Sequence, residues 1–200
     1  MKHPLERRAR RMGMNCEIKR LDHLTAHFLP YEHQPFEVIG RFIPAYDGVK
    51  WSYKEVLCKE SRQKKYKDDV IDPKDYIEND RQAIFLAVCD NLCVGAVRIS
   101  TGWSGDAVIE DLAVGIQYRR QGLGKKLMDG AVAWCRKQRY ERITLETQDN
   151  NLQACRFYVK YGFALCGINT KIYALMPEYR DETALYFCLE IPLRHSAVLL

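Results

Sequence analysis

The sequence predicts an α/β domain in which helices pack on a mixed β-sheet, and three observations predict it. Two apolar, β-branched runs, residues 83–89 and 92–100, flank Asp90-Asn91 like the arms of a two-residue hairpin. From Leu123 onward the apolar residues recur every three to four positions, which is a helical period. The pattern then alternates strand, helix, strand, helix, strand, which calls for a crossover inside a sheet of mixed direction.

Residues 1–34 are basic and mixed, and read as an N-terminal extension ahead of a domain at 35–192, with a tail at 193–200. Residues 36–42 read as the first strand. Residues 46–80 are polar and read as a surface loop followed by a short helix. Within them, Asp68, Asp69, Asp72, Asp75, Glu78 and Asp80 meet a single base, Lys74. The hairpin at 83–100 leads through a turn at 101–106 into a strand at 107–114. Leu123, Leu127, Met128, Ala131, Val132 and Cys135 then share one face of a helix of about four turns. Residues 142–148 form a strand, and Leu152, Cys155, Phe157, Tyr158 and Tyr161 mark a second helix. Gly162 ends it, because glycine takes the left-handed conformation that closes a helix without a Cβ penalty. Strands at 163–168 and 184–191 complete the sheet.

A chain of 200 residues with 47% apolar residues can bury one core. Its longest apolar run, 83–89, falls far short of the roughly 20 residues of a membrane span, so a soluble, cytoplasmic protein is expected. Residues 1–20 hold seven Lys or Arg against two acids, which accounts for the whole net charge of +5. With the folded body neutral, nucleic-acid binding is not expected, since phosphate neutralisation supplies most of that affinity. Of the eight cysteines, Cys89, Cys135, Cys155 and Cys188 lie in apolar runs and no pair has the two-residue spacing of zinc or redox motifs, so they read as free thiols. His23 and His27 are four apart but lack a third ligand in view, so no metal is expected. Residues 34–194 contain no His and no G-x-S-x-G, which excludes a triad hydrolase.

The informative junction is 114–126, where a strand passes through a short basic loop into the long helix. Gly122 and Gly124 open that helix, so backbone N–H groups can approach an anion unobstructed. Arg119, Arg120, Lys125 and Lys126 surround them with no acid among them. Cations at a helix N-terminus oppose its dipole and favour a bound anion, such as a pyrophosphate. A glycine-rich turn with a solvated basic patch is the alternative. The loop lacks the G-K-S/T of a P-loop and the third glycine of a dinucleotide fingerprint.

Arg119-x-x-Gly122-x-Gly124 resembles the Q/R-x-x-G-x-G/A coenzyme A signature of the GNAT acetyltransferases. Asn150-Asn151-x-x-Ala154-x-x-Phe157-Tyr158-x-x-x-Gly162-Phe163 resembles that family's second helix. Pro35 to Gly40, Ile109 to Val114, and Leu145 to Asn151 with Ala154-Cys155 further resemble the streptothricin acetyltransferases, over roughly 35–190. The resemblance implies a GNAT fold of about seven strands, with helices on both faces and a splay between strands 107–114 and 142–148. It implies an acetyl coenzyme A-dependent N-acetyltransferase acting on a primary amine of a cationic small molecule, streptothricin first, and so antibiotic resistance. A polyamine, another amine or a protein N-terminus are alternative acceptors, and a non-catalytic coenzyme A-binding regulator is the alternative from another class. The sequence is compatible with a homodimer.

By the same resemblance, the backbone of Leu112, Ala113 and Val114 holds the pantetheine arm. Arg119, Arg120, Gln121, Gly122, Leu123, Gly124 and Lys125 hold the pyrophosphate, mostly through N–H groups, with the Leu123 side chain structural. Asn151 either bonds the cofactor or caps its helix. Transfer to an amine needs a base, and release of a thiolate needs an acid. Glu110 is the first candidate base, with Asp111 and Glu146 beside it; each could instead be structural or bind the acceptor. Strict alternation puts Glu110 on one face with Leu112 and Val114, and Asp111 on the other. Tyr158 matches the family's tyrosine acid. Trp103 either walls the acceptor site or packs. The acidic stretch at 68–80, if folded over the acceptor mouth, would attract a polycation.

Overall fold

A computed structural model describes residues 15–29 and 31–192. Within them the strands are β1 (Cys16–Arg20), β2 (Phe36–Tyr46), β3 (Trp51–Lys64), β4 (Gln82–Cys89), β5 (Leu92–Thr101), β6 (Ala107–Val114), β7 (Arg142–Gln148), β8 (Ala164–Asn169) and β9 (Ala184–Glu190). The helices are α1 (Leu123–Lys137) and α2 (Leu152–Tyr161). Seven strands form one mixed sheet in the order β1-β4-β5-β6-β7-β9-β8, and β2 and β3 make a separate two-stranded arm. Among the described strands only the central β6–β7 pair is parallel, the α1 crossover joining them.

Strand β4 shows how the sheet divides its faces. Ala83, Ala87 and Cys89 enter the main core with Leu127, Met128 and Ala131 of α1 and Leu152, Cys155 and Tyr158 of α2. The alternate residues Ile84, Leu86 and Val88 form a second core with Leu21 and Tyr76. Helical elements therefore lie on both faces, the two α-helices on one and the 3-10 turns Ala26–Phe28 and Pro73–Asp75 with their flanks on the other. Burying each such Leu or Met stabilises the fold by roughly 1.5–3 kcal/mol. Asp90 and Asn91 both take positive φ, 48° and 64°, as the tight turn between β4 and β5 requires.

Three expectations need correcting. The boundary at residue 35 cuts through the fold, because β1 pairs antiparallel with β4 along Cys16–Arg20 and forms the sheet's edge. That pairing sets Cys16 opposite Cys89, and the two form a disulfide rather than free thiols. The expected surface loop contains β3, which pairs with β2 but buries no residue, so its sequence carries no period-two apolar signal. The stretches 1–14 and 193–200 of the proposed extension and tail lie outside the described residues.

The feature that positions the site is a split. Ala107, Val108 and Ile109 pair with Ile143, Thr144 and Leu145, and the pairing then ends although β6 runs on to Val114 and β7 to Gln148. Each strand keeps its other neighbour, β5 beside β6 and β9 beside β7. Among the described residues no helix is long and apolar enough to cross a membrane.

Candidate active site

Where the split opens, β6 is bulged. Its register with β5 shifts between Arg98 opposite Asp111 and Ile99 opposite Ile109, leaving Glu110 without a partner. The extra residue breaks the alternation expected from sequence. Leu112 and Val114 pack with Ile109 against the main core. Glu110 is exposed and accepts a long hydrogen bond from the Tyr76 hydroxyl, 3.4 Å, while Asp111 meets His33 Nε2 at 2.9 Å.

The other wall comes from β7, where alternation holds. Ile143 and Leu145 are in the main core, so Thr144, Glu146 and Gln148 face the opposite side. Tyr173, from the segment between β8 and β9, is buried there. Its hydroxyl donates to Glu146 Oε1 and accepts from Gln148 Nε2 at 2.9 Å. Burial, then the bond to Glu146, pushes the Tyr173 phenol well up, so it stays protonated as a donor.

Charge pairing separates these carboxylates. Asp111 bonds His33, Asp68 bonds His33 and Lys65, and Asp69 bonds Arg98 at 2.5 Å. Glu110 and Glu146 have tyrosine neighbours and no cation within ion-pair distance among the described residues. They are the next residues of β6 and β7 after the last parallel pair, one on each side of the opening.

Tyr158 reaches the same region from α2. It is 7% exposed, against Phe157 and Phe163 with ring centroids at 5.5 and 5.7 Å. Burial first, then the negative charge of Asp111, pushes its phenol well above the ordinary value. Leu112 and Val114 of β6 pack against the same core as Tyr158. A phenol held protonated can serve as an acid.

At the far end of β6 the loop turns through Ile116–Tyr118 and reaches Gly122 at φ 84°, with Arg120 also left-handed at 60°. Backbone N–H groups of residues 120–125 donate to no protein acceptor among the described residues, whereas Lys126 N–H closes on Gly122 O at 3.0 Å. A row of unpartnered amides at a helix start with no acid in its first turn fits a pyrophosphate. Leu123 is buried in the core, as its structural role requires. Arg119 donates through Nε to Val114 O at 2.8 Å and so braces the loop. Gln121 bonds Gln117 O, and Lys125 pairs with Asp129 at 2.7 Å, while Arg120 is exposed.

Asn151 caps α2 by accepting from Ala154 N–H at 3.3 Å. Trp103 is fully exposed on the turn before β6, so the expectation that it packs is corrected. The acidic stretch folds beside the bulge, but Asp68 and Asp69 spend their charge on His33, Lys65 and Arg98. Sequence reading missed His33, Tyr76, Arg98 and Tyr173 as site residues. Only Arg98, a lone charge in an apolar strand, carried a local signal.

Residues 49–163 match the model of the acetyltransferase (GNAT) family. The chain is 35% identical to streptothricin acetyltransferase A of Bacillus subtilis over 85% of its own length and 97% of that protein's. It is 36% identical to a streptothricin acetyltransferase of Escherichia coli over 57% and 68%. A solved Bacillus anthracis structure, assigned as a streptothricin acetyltransferase and holding acetyl coenzyme A, superposes with a TM-score of 0.81. It shares 30% identity over 88% of this chain and all of that one.

Proposed function

The chain belongs to the GNAT family of N-acetyltransferases and uses acetyl coenzyme A, and on that premise we propose that it acetylates a primary amine of streptothricin or a similarly polycationic small molecule, a resistance activity. The observation that carries this reading is the pair Glu110 and Glu146, two carboxylates on opposite sides of the split that meet no cation among the described residues. Unpaired negative charge in a cleft favours a cationic acceptor. The streptothricin acetyltransferases to which the chain is similar lend the particular substrate.

The residues divide the work as follows. The unpartnered amides of 120–125 hold the pyrophosphate, and the edge of β6 at Leu112, Ala113 and Val114, bare of β7 and with only the Val114 carbonyl taken by Arg119, offers backbone groups to the pantetheine arm. Acetyl coenzyme A supplies the acetyl group as a thioester. Glu110 accepts a proton from the attacking amine, since an ammonium has no lone pair to give. Glu146, held by Tyr173, orients the acceptor's cationic groups. Tyr158 donates its phenolic proton to the sulfur as the carbon–sulfur bond breaks. Asp111, already paired with His33, stabilises this arrangement.

Release of free thiol from acetyl coenzyme A, measured against streptothricin, polyamines and an N-terminal peptide, tests the reading. Turnover is expected with streptothricin. Turnover confined to the peptide would overturn the choice of substrate.

A further inference from the structure

We propose that His33 is a positioning residue of the acceptor site. Clamped between Asp68 and Asp111, it holds the acidic segment against the β6 bulge and so keeps Tyr76 on Glu110. This rests on the amine-acetylation reading above.

The geometry is a double bridge. His33 Nδ1 lies 2.5 Å from Asp68 Oδ1, the His33 backbone N–H donates to the same oxygen at 3.0 Å, and Nε2 lies 2.9 Å from Asp111 Oδ2. A carboxylate accepts but does not donate, so both ring nitrogens must carry protons to satisfy both partners. The bridging species is therefore the imidazolium. Without it, two aspartates brought together from distant parts of the chain would repel each other.

The clamp is anchored on the cofactor side as well. The Tyr31 hydroxyl donates to Val94 O at 3.2 Å, and Gln34 Oε1 accepts from the Ile116 N–H at 2.7 Å, on the turn leading to the phosphate loop. One short segment thus touches the loop that holds the cofactor and, through Asp68, the segment that places Tyr76. The Asp69–Arg98 pair ties the acidic segment to β5 a second time. The titratable groups facing the ring are Asp68 and Asp111, bonded to it, and Tyr31, edge-on at 6.3 Å; behind them Lys65, just ahead of the acidic stretch, pairs with Asp68, and Arg98 stands opposite Asp111 on β5.

The bond to Asp111 raises the imidazole above its ordinary value against an opposing burial penalty, and Asp68 adds to the rise. A raised value means that the clamp is complete below about pH 6.5, the unfolded histidine value, and is lost as pH rises through the folded one.

The test combines kinetics with a direct titration. With acetyl coenzyme A and streptothricin as substrates, His33→Gln should lower kcat about tenfold at pH 6, while the acetyl coenzyme A KM stays within about twofold. The ratio of wild-type to variant kcat/KM should fall toward one as pH passes the His33 titration. Asp68→Asn should move that fall to lower pH. In NMR spectra the His33 ring should titrate above the ordinary histidine range in the wild type and lower in Asp68→Asn. A ratio flat with pH, a kcat unchanged at pH 6, or a ring titrating at its ordinary value would overturn the proposal. If the wild type leaves streptothricin unacetylated, the substrate reading fails, and the ring titration alone decides the clamp.

Discussion

Ile109 faces Leu145 in the last parallel pair between β6 and β7, and the residues that follow them are Glu110 and Glu146. Position on either side of the opening does not make the two equivalent, because Glu146 is held by Tyr173 while Glu110 meets Tyr76 only at 3.4 Å. Glu110→Gln is expected to lower kcat by about 10²–10⁴-fold, the usual contribution of a positioned base. Glu146→Gln is expected to raise the acceptor KM and spare most of kcat. Steady-state kinetics with both substrates varied would separate them, and the reverse pattern would exchange the two roles.

Tyr158→Phe removes one hydroxyl from an aromatic cluster and leaves the ring contacts in place. The variant should lose about 10²-fold or more in kcat, with its melting temperature nearly unchanged. Because burial raises the phenol, the wild-type rate should show no loss from its ionisation up to about pH 10, the ordinary tyrosine value. A Tyr158→Phe enzyme with full kcat would remove this residue from the chemistry.

Gly122 stands at φ 84°, and a Cβ there would meet nothing within 4 Å. The cost of Gly122→Ala is therefore backbone strain, about 1 kcal/mol. Since the strain falls on the amides assigned to the pyrophosphate, calorimetry should show weaker acetyl coenzyme A binding with little change in the acceptor KM. Lower stability with unaltered cofactor affinity would place the phosphates elsewhere.

The backbone N–H of His33, followed by Lys65, lowers the Asp68 carboxyl to about 2 from its ordinary 3.8. A lowered value gives stability that is present above the unfolded pKa of Asp and lost as pH falls through the folded one. Melting temperatures of the wild type should drop more steeply than those of Asp68→Asn between about pH 4 and pH 2. Parallel curves would show that the His33 contact contributes nothing to acid stability.

Much of this was legible where burial imposes a period. Strands β6 and β7 and the start of α1 fall where the apolar spacing put them, and Gly162 closes α2 at φ 118°. Strand β3 was hidden because its fourteen residues bury nothing, and β1 because its partner lies some 70 residues away. Glu110 and Asp111 were identified as candidates, yet Glu110 was grouped with Leu112 and Val114, since a bulge is a property of pairing with β5 and leaves no local trace. His33 was illegible for a related reason. Its partners Asp68 and Asp111 are 35 and 78 residues distant, and only the folded chain joins them.

A strand with one bare edge is ordinarily a hazard, open to any passing chain. Beyond Ile109, β6 carries such an edge in the middle of the protein, where under the proposed function the coenzyme arm would supply the missing neighbour. Recognition by main chain tolerates many side chains and only one kind of backbone. Along Leu112 to Val114, exchanges among apolar residues of similar bulk should therefore leave cofactor use intact, whereas a single proline should abolish it.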